Sequence, residues 1–155
     1  MSQLNTCVMN ILAVCNKETM LHVLLQLLTH FREDSRMQFT INNCLMKMLN
    51  SFIEQIDTID IEETLLRMHL FLKSVNHKLR SQHDEKSVGI VKTITYKIVA
   101  ARKESVIESY QVVRAHKDAD KHLHKWIKCG LQNLQKELSP TKLYGRKVAH
   151  KNAKI

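Results

Sequence analysis

Glycine and proline are almost absent from this sequence, and this shortage constrains its fold more than any other feature. Three glycines and one proline occur in 155 residues, whereas hydrophobic residues make up 44% of the chain. Tight hairpin turns and phosphate-cradling loops need glycine, and disordered polymers contain fewer apolar residues. We therefore predict an almost entirely helical chain that is long enough to form one domain with its own core.

Seven segments repeat their apolar residues at helical spacing. Asn16 and Asp60 are the predicted N-caps of the second and fourth segments, and Asp60 is predicted to form a capping box with Glu63. Ser105 and Glu108 are predicted to form a second capping box. The predicted helices span residues 3–14, 18–31, 37–56, 60–79, 87–101, 105–115 and 119–138.

The same spacing predicts which side chains face the core. On the third helix, Met46 and Met48 are predicted to fill gaps in the core, with a peptide-binding groove as the alternative. Asn42 and Lys47 are predicted to point away from the core. Trp126 is predicted to lie within the seventh helix, beside its apolar stripe.

Successive helices with short connections can pack as a stack of hairpins. Helices one and two, three and four, and five and six are predicted to pair, with the seventh closing the stack, in units of about 40 residues typical of HEAT repeats. We therefore predict an all-α solenoid of HEAT-like helical hairpins over residues 1–138, followed by a basic, disordered tail over residues 139–155. A compact helical bundle has the same periodicity and remains the alternative.

Positive charge is concentrated in the C-terminal part of the chain. Residues 1–60 carry four Lys/Arg and six Asp/Glu, whereas residues 61–155 carry 20 and nine, so the formal charges are −2 and +11. A lysine stripe on the seventh helix, extended by the tail, is a candidate surface for an acidic partner, although many such stripes are only solvated faces. The candidate residues are Lys117, Lys121, Lys125, Lys128, Lys142, Arg146 and Lys147.

The sequence shows no spacing typical of a catalytic or metal site. His122 and His124 lie two residues apart and should project in nearly opposed directions from a helix, so they are not expected to share a metal ion. Glu62 and Glu63 lie in the first turn of a helix, where they complement its dipole. The four cysteines are far apart and are expected to be free thiols. We predict no enzymatic activity and no cofactor.

The chain is also expected to be cytosolic. The N-terminal segment MSQLNTCVMNILAVC has no basic residue ahead of its apolar run, so no secretory signal is predicted. The longest apolar stretches are shorter than the about 20 residues that cross a bilayer, so no membrane segment is predicted.

Two stretches carry a family resemblance. They are DIEETLLRMHLFLKS at 60–74 and GIVKTITYKIVAARKESVIESY at 89–110, and weaker similarity continues through 121–138. These stretches resemble the C-terminal helical, TOG-like domain of the ch-TOG and Mini spindles family of microtubule polymerases. The resemblance implies an adaptor that binds TACC-family coiled coils and places the polymerase at centrosomes and on spindle microtubules. At the junction of helices five and six, Lys103 and Glu104 replace a glycine-containing turn of the family, and a helical or differently closed junction is predicted.

TOG domains of this family bind tubulin through loops that include an exposed tryptophan and basic residues. Here the turn between helices three and four is acidic, at 57–60, and the single tryptophan lies within a helix. The resemblance therefore implies a TOG-like fold without the tubulin-binding loops.

Two other hypotheses remain open. The first is an electrostatic binder of the microtubule lattice, tubulin or γ-tubulin that uses the basic C-terminal half. Nucleic acid ranks last among the partners of this hypothesis, because few aromatic residues lie among the basic ones. The second is an unrelated helical regulator, such as an armadillo-like scaffold.

Overall fold

The computed structural model describes residues 10–11, 14–75, 82–115 and 121–138. These residues form helices and their connections without any strand, which confirms the predicted all-α class. Residues 10, 11 and 14 are helical, and the rest of the first predicted helix lies outside the described residues. The main elements are α1 (Lys17–His30), α2 (Ser35–Glu54), a 3₁₀ helix (Ile56–Thr58), α3 (Ile61–Ser74), α4 (Gln82–Arg102), α5 (Ser105–Ala115) and α6 (Lys121–Leu138).

Short polar side chains start the first two of these helices. Asn16 Oδ1 accepts the N–H of Thr19 at 2.9 Å, as predicted. Asp34 Oδ1 accepts the N–H groups of Arg36 and Met37, both at 3.0 Å, so α2 begins two residues earlier than predicted. Each cap of this kind stabilises a helix by about 1 kcal/mol.

The start of α3 is held by its own cap and by α1. The N–H of Glu63 donates to Asp60 Oδ1 at 3.0 Å, as the capping box predicts. The reciprocal bond differs from the prediction, because the N–H of Asp60 donates to Glu18 Oε1 of α1 at 3.2 Å. The Glu63 carboxylate instead lies 2.6 Å from Arg67 Nε. The cap therefore joins α1 to α3 as well as starting α3.

Helix α4 begins at Gln82, five residues earlier than predicted, because the polar segment predicted as a loop forms its first turn. Asp84 and Glu85 in that turn complement the positive end of the helix dipole. Asp84 is buried, and its Oδ1 lies 3.5 Å from Nε of Arg32, which also donates to the carbonyl of Ser74 at 2.5 Å. Arg32 thus ties the start of α4 to the end of α3. Helix α3 ends at Ser74, five residues before its predicted end.

The junction between α4 and α5 is a turn that contains a residue in the left-handed conformation. Lys103 has a φ of 51°, and its N–H donates to the carbonyl of Val99 at 2.8 Å. Glycine is common after a helix in this conformation, because a side chain carries a steric cost there. The junction is therefore a closed turn, and Lys103 adopts the left-handed conformation despite its steric cost. The prediction that Ser105 caps α5 is wrong, because its Oγ donates instead to the carbonyl of Arg102 at 2.7 Å.

The helices pack mainly with the next helix but one. Helix α1 packs on α3 and α3 on α5, while α2 packs on α4 and α4 on α6; α1 also packs on α2. We call α1, α3 and α5 the odd row, and α2, α4 and α6 the even row. The predicted pairings of α2 with α3 and of α4 with α5 are not among these main contacts. Both rows contribute to one hydrophobic core, whose fully buried members include Leu21, Leu45, Leu65, Ile94 and Leu123.

Two residues of α2 lie on the opposite side from that predicted. Asn42 is completely buried, and its Oδ1 accepts a 2.9 Å hydrogen bond from Ser87 Oγ of α4. Met48 is buried as predicted, whereas Met46 is half exposed. The hydrophobic pattern misplaces Asn42 because its burial depends on a polar partner from another helix.

Gly130 lets α6 approach α4 closely. A Cβ atom at this position would lie 3.0 Å from Val99 Cγ1 and 3.3 Å from Tyr96 Cδ1. Gly89 offers a contrast, because it lies on the exposed face of α4 and a Cβ atom there would have nothing within 4 Å. Only the first glycine is needed for packing between helices.

Gly130→Leu is expected to lower the free energy of unfolding by about 1–3 kcal/mol, because the side chain would overpack the contact between α4 and α6. Gly89→Leu is the matched control and should raise it by up to about 1 kcal/mol, since leucine is the better helix former. Urea denaturation followed by circular dichroism measures both values. Equal effects of the two substitutions would contradict the close packing of α6 on α4.

Lys103→Gly is expected to raise the free energy of unfolding by about 1 kcal/mol, because glycine adopts the left-handed conformation without a steric cost. Lys97→Gly, on the exposed face of α4, should lower it by about 1 kcal/mol instead. The same urea titrations compare the two variants. A loss of stability in both would argue against the turn at Lys103.

Candidate partner-binding surface

The lysine stripe predicted from the sequence lies on the exposed side of α6. Lys121, Lys125 and Lys128 are all exposed, while Leu123 and Ile127 are buried in the core. Helix α6 therefore holds one apolar side against the protein and presents its lysines to solvent. The other predicted members lie outside the described residues: Lys117, Lys142, Arg146 and Lys147.

Formal charge is unequal between the two rows. The helices of the even row carry ten Lys/Arg and four Asp/Glu, a formal charge of +6, whereas those of the odd row carry four of each and are neutral. One even-row acid, Asp84, is buried beside Arg32 and so contributes little negative field outside. The stripe on α6 is therefore one part of a wider basic surface on α2, α4 and α6, which we call the even-row surface.

Helix α4 adds lysines to the even-row surface. Lys92 and Lys97 are exposed, and Lys92 Nζ lies 5.7 Å from the centre of the Tyr96 ring. Tyr96 in turn lies against α6 at Gly130. A cation–π contact at an exposed site is worth about 0.5–1 kcal/mol, so Tyr96 helps to hold the Lys92 ammonium group beside its ring.

The odd row has a different surface. An open groove of about 760 Å³ lies between α1 and α3, and its lining includes Val23 and Leu70, which are 45% and 48% exposed. His30 and Arg67 also line the groove, but no carboxylate is among its lining residues. The groove therefore lacks the paired titratable groups of a general acid–base site.

The described residues offer little for metal chemistry. Among them, no three His, Cys, Asp or Glu side chains are grouped so that they could hold a metal ion. His122 and His124 contact different rings, with centroid distances of 6.2 Å to Trp126 and 5.5 Å to Tyr110. The three cysteines that the structure describes are free thiols. None of the described helices has the length and apolar character needed to cross a bilayer.

The turn after α2 does not resemble a tubulin-binding loop. It contains the 3₁₀ helix, and Arg102 of α4 donates to the carbonyls of Ile56 and Asp57 at 3.1 and 2.7 Å. Trp126 lies within α6, as predicted, and it is buried. The turn is therefore fixed to α4 and has no aromatic residue.

His22 lies between α1 and α3. Its Nε2 is 3.1 Å from Thr64 Oγ1. Burial lowers the pKa of His22 below its ordinary value of 6.5, although the nearby carboxylates of Glu18 and Glu63 oppose this shift. Protonation of His22 is therefore disfavoured in the folded protein.

His124 on α6 is affected by the even-row surface. Burial lowers the pKa of His124, and the positive charges of Lys128 and Arg114 lower it further. Burial and these two cations together disfavour the protonated imidazole.

No known protein family, curated protein or solved structure matches this chain. The resemblance to microtubule polymerases therefore rests on the two stretches at 60–74 and 89–110. In the structure these stretches form α3, most of α4 and the first half of α5.

The basic surface was predicted on α6 and the tail, and the four lysines that α2 and α4 contribute to it were not predicted. These lysines belong to two other helices, and only the packing of α2, α4 and α6 in one row brings them together. A count of charge helix by helix could have detected the difference, because the excess falls on alternate helices. The missed residues are Lys47, Lys86, Lys92 and Lys97.

The free energy of unfolding is expected to fall as the pH drops below about 6.5, because the unfolded chain binds a proton at His22 more readily than the folded chain does. Above the ordinary pKa, His22 is neutral in both the folded and the unfolded chain, so its protonation costs no stability there. His22→Gln should reduce the slope of stability against pH. Thr64→Val is the control, since it removes the hydrogen-bond partner but keeps the imidazole. Urea titrations from pH 7.5 to about 5 test this, and parallel curves for wild type and His22→Gln would refute it.

Proposed function

We propose that this chain is a noncatalytic adaptor domain of a microtubule polymerase. It binds the acidic coiled coil of a TACC-type protein and so localises the polymerase to centrosomes and spindle microtubules. The observation that carries the proposal is the charge difference between the even row, at +6, and the neutral odd row. Such a field attracts an acidic partner and orients it toward one side of the domain.

The packing of the helices supports a HEAT-like solenoid as the scaffold of this adaptor. In such solenoids the equivalent helices of successive repeats stack on one another and form two layers. This arrangement requires each helix to pack on the next but one, and α1 to α6 pack in this way. The repeated pairs would then be α1 with α2, α3 with α4, and α5 with α6. An open layer offers a partner a surface that continues over several helices.

A TACC-type partner fits better than a tubulin dimer held in the manner of other TOG domains. The turn that would supply such a contact is acidic and bonded to Arg102, and the tryptophan is buried. A coiled coil needs no such loop, because its acidic residues lie along an extended rod. The resemblance at 60–74 and 89–110 supports the same partner.

Direct electrostatic binding to microtubules or γ-tubulin is a second candidate. The same charge of +6 favours it, because tubulin surfaces are acidic. The two candidates differ in their dependence on partner shape. Both interactions should weaken with salt, but only the coiled coil requires a surface that continues across several helices.

The triple variant Lys121→Glu, Lys125→Glu and Lys128→Glu is expected to bind a TACC-type acidic coiled coil at least about tenfold more weakly, because close charge pairs across an interface contribute to affinity. Isothermal titration calorimetry with the full chain measures this, and circular dichroism checks the fold. Microtubule co-sedimentation of the same variant tests the second candidate.

A single pair of substitutions provides the matched control. Lys125→Glu on the even row should weaken binding several-fold, whereas Lys73→Glu makes the same charge change on the odd row and should have less than about a twofold effect. Equal losses would indicate nonspecific attraction by net charge. No binding of the coiled coil to the unmodified chain would count against the adaptor itself.

A further inference from the structure

Two apolar side chains on α2 are exposed on the even-row surface. Phe39 and Met46 are 52% and 50% exposed, and no other large apolar side chain of the even row is exposed among those whose exposure the structure describes. They lie seven residues apart, so they project from the same side of α2, about 10.5 Å apart along its axis. Covering both would remove apolar area from water, which favours a partner at this place.

Cations surround these two side chains. Lys86 of α4 places its Nζ 5.2 Å from the centre of the Phe39 ring and 3.3 Å from Asn43 Oδ1 of α2. Arg36 lies one turn before Phe39, and Lys47 follows Met46; both are exposed. The contacts of Lys86 with α2 bring the charge of α4 next to the apolar pair.

Exposed acids do not fully offset these cations. Five exposed Lys/Arg on α2 and α4 outnumber the four exposed acids on these helices and in the turn before α2, which are Glu33, Asp34, Glu54 and Glu85. The local field is therefore positive, like that of the whole even row. A partner that covers Phe39 and Met46 must bring negative charge beside its own apolar residues.

We infer that Phe39 and Met46, with Arg36, Lys47 and Lys86, form a seat for one acidic amphipathic helix of a partner protein. We call these five residues the α2 seat. The seven-residue spacing matches one heptad, so a helix that lies along α2 can place successive apolar residues against the pair and turn its acids toward the cations. Met46 can adapt to different apolar side chains, because methionine is unbranched and flexible.

The inference rests on the proposed function, because it names the place on the even-row surface where the acidic helix binds. Other occupants fit less well. A second copy of this chain would bring a second basic row against the first, which repulsion opposes. Single-stranded nucleic acid binds through several stacking aromatic rings, whereas Phe39 is a single ring with an ammonium group beside it.

Two synthetic helical peptides of about 21 residues, or three heptads, provide the probes. Both carry the same number of glutamates, but one has leucine at two positions seven residues apart and the other has glutamine there. Fluorescence anisotropy with the full chain is expected to show at least about tenfold tighter binding of the leucine peptide, since buried apolar anchors dominate helix recognition. Phe39→Ser with Met46→Ser should abolish this preference.

The matched control removes two exposed apolar side chains from the odd row, by Val23→Ser with Leu70→Ser, and should leave the preference unchanged. An undiminished preference in the Phe39→Ser, Met46→Ser variant would overturn the α2 seat. Equal binding of both peptides, with equal competition by heparin, would show a general polyanion surface and would also overturn it. The adaptor is tested separately, by charge reversal of the three α6 lysines. If that variant loses binding of the TACC-type coiled coil, the adaptor is supported whether or not the α2 seat is, so the two proposals can fail independently.

Discussion

The packing of each helix against the next but one determines the other properties of this protein. It depends on apolar stripes that repeat at helical spacing, such as that of Leu123, Ile127 and Leu131 on α6. It also depends on close approach at one point, where Gly130 lies against Val99 and Tyr96. Polar contacts between helices reinforce it: Asp60 with Glu18 in the odd row, and Asn42 with Ser87 in the even row.

Because of this packing, a difference in formal charge between successive helices becomes a difference in charge between the two rows. Net positive charge falls on α2, α4 and α6, which pack in one row, whereas the helices of the odd row are neutral and include the two that line the apolar groove. The even-row surface affects a partly buried group, since burial lowers the pKa of His124 and the charge of Lys128 lowers it further. The proposed adaptor and the α2 seat both use this separation, and neither requires a catalytic group.

Much of the fold can be predicted from the sequence, because glycine scarcity and helical spacing are local signals. The caps at Asn16 and Asp60 are examples, since each involves residues three apart. The predictions fail where a distant residue decides the outcome. Asn42 is buried because Ser87 bonds to it, and the reciprocal bond at Asp60 comes from Glu18. The lysine stripe was predicted because it lies on one helix, whereas the rest of the even-row surface needs three helices.

The central claim is that an acidic coiled coil binds to the even row and leaves the odd row free. The most direct test is nuclear magnetic resonance of the ¹⁵N-labelled chain, with amide chemical shifts followed as an unlabelled TACC-type coiled coil is added. We expect the perturbed amides to belong to α2, α4 and α6, while the resonances of amides on the exposed face of α1 and α3 do not shift. Perturbations centred on the groove between α1 and α3 would contradict it.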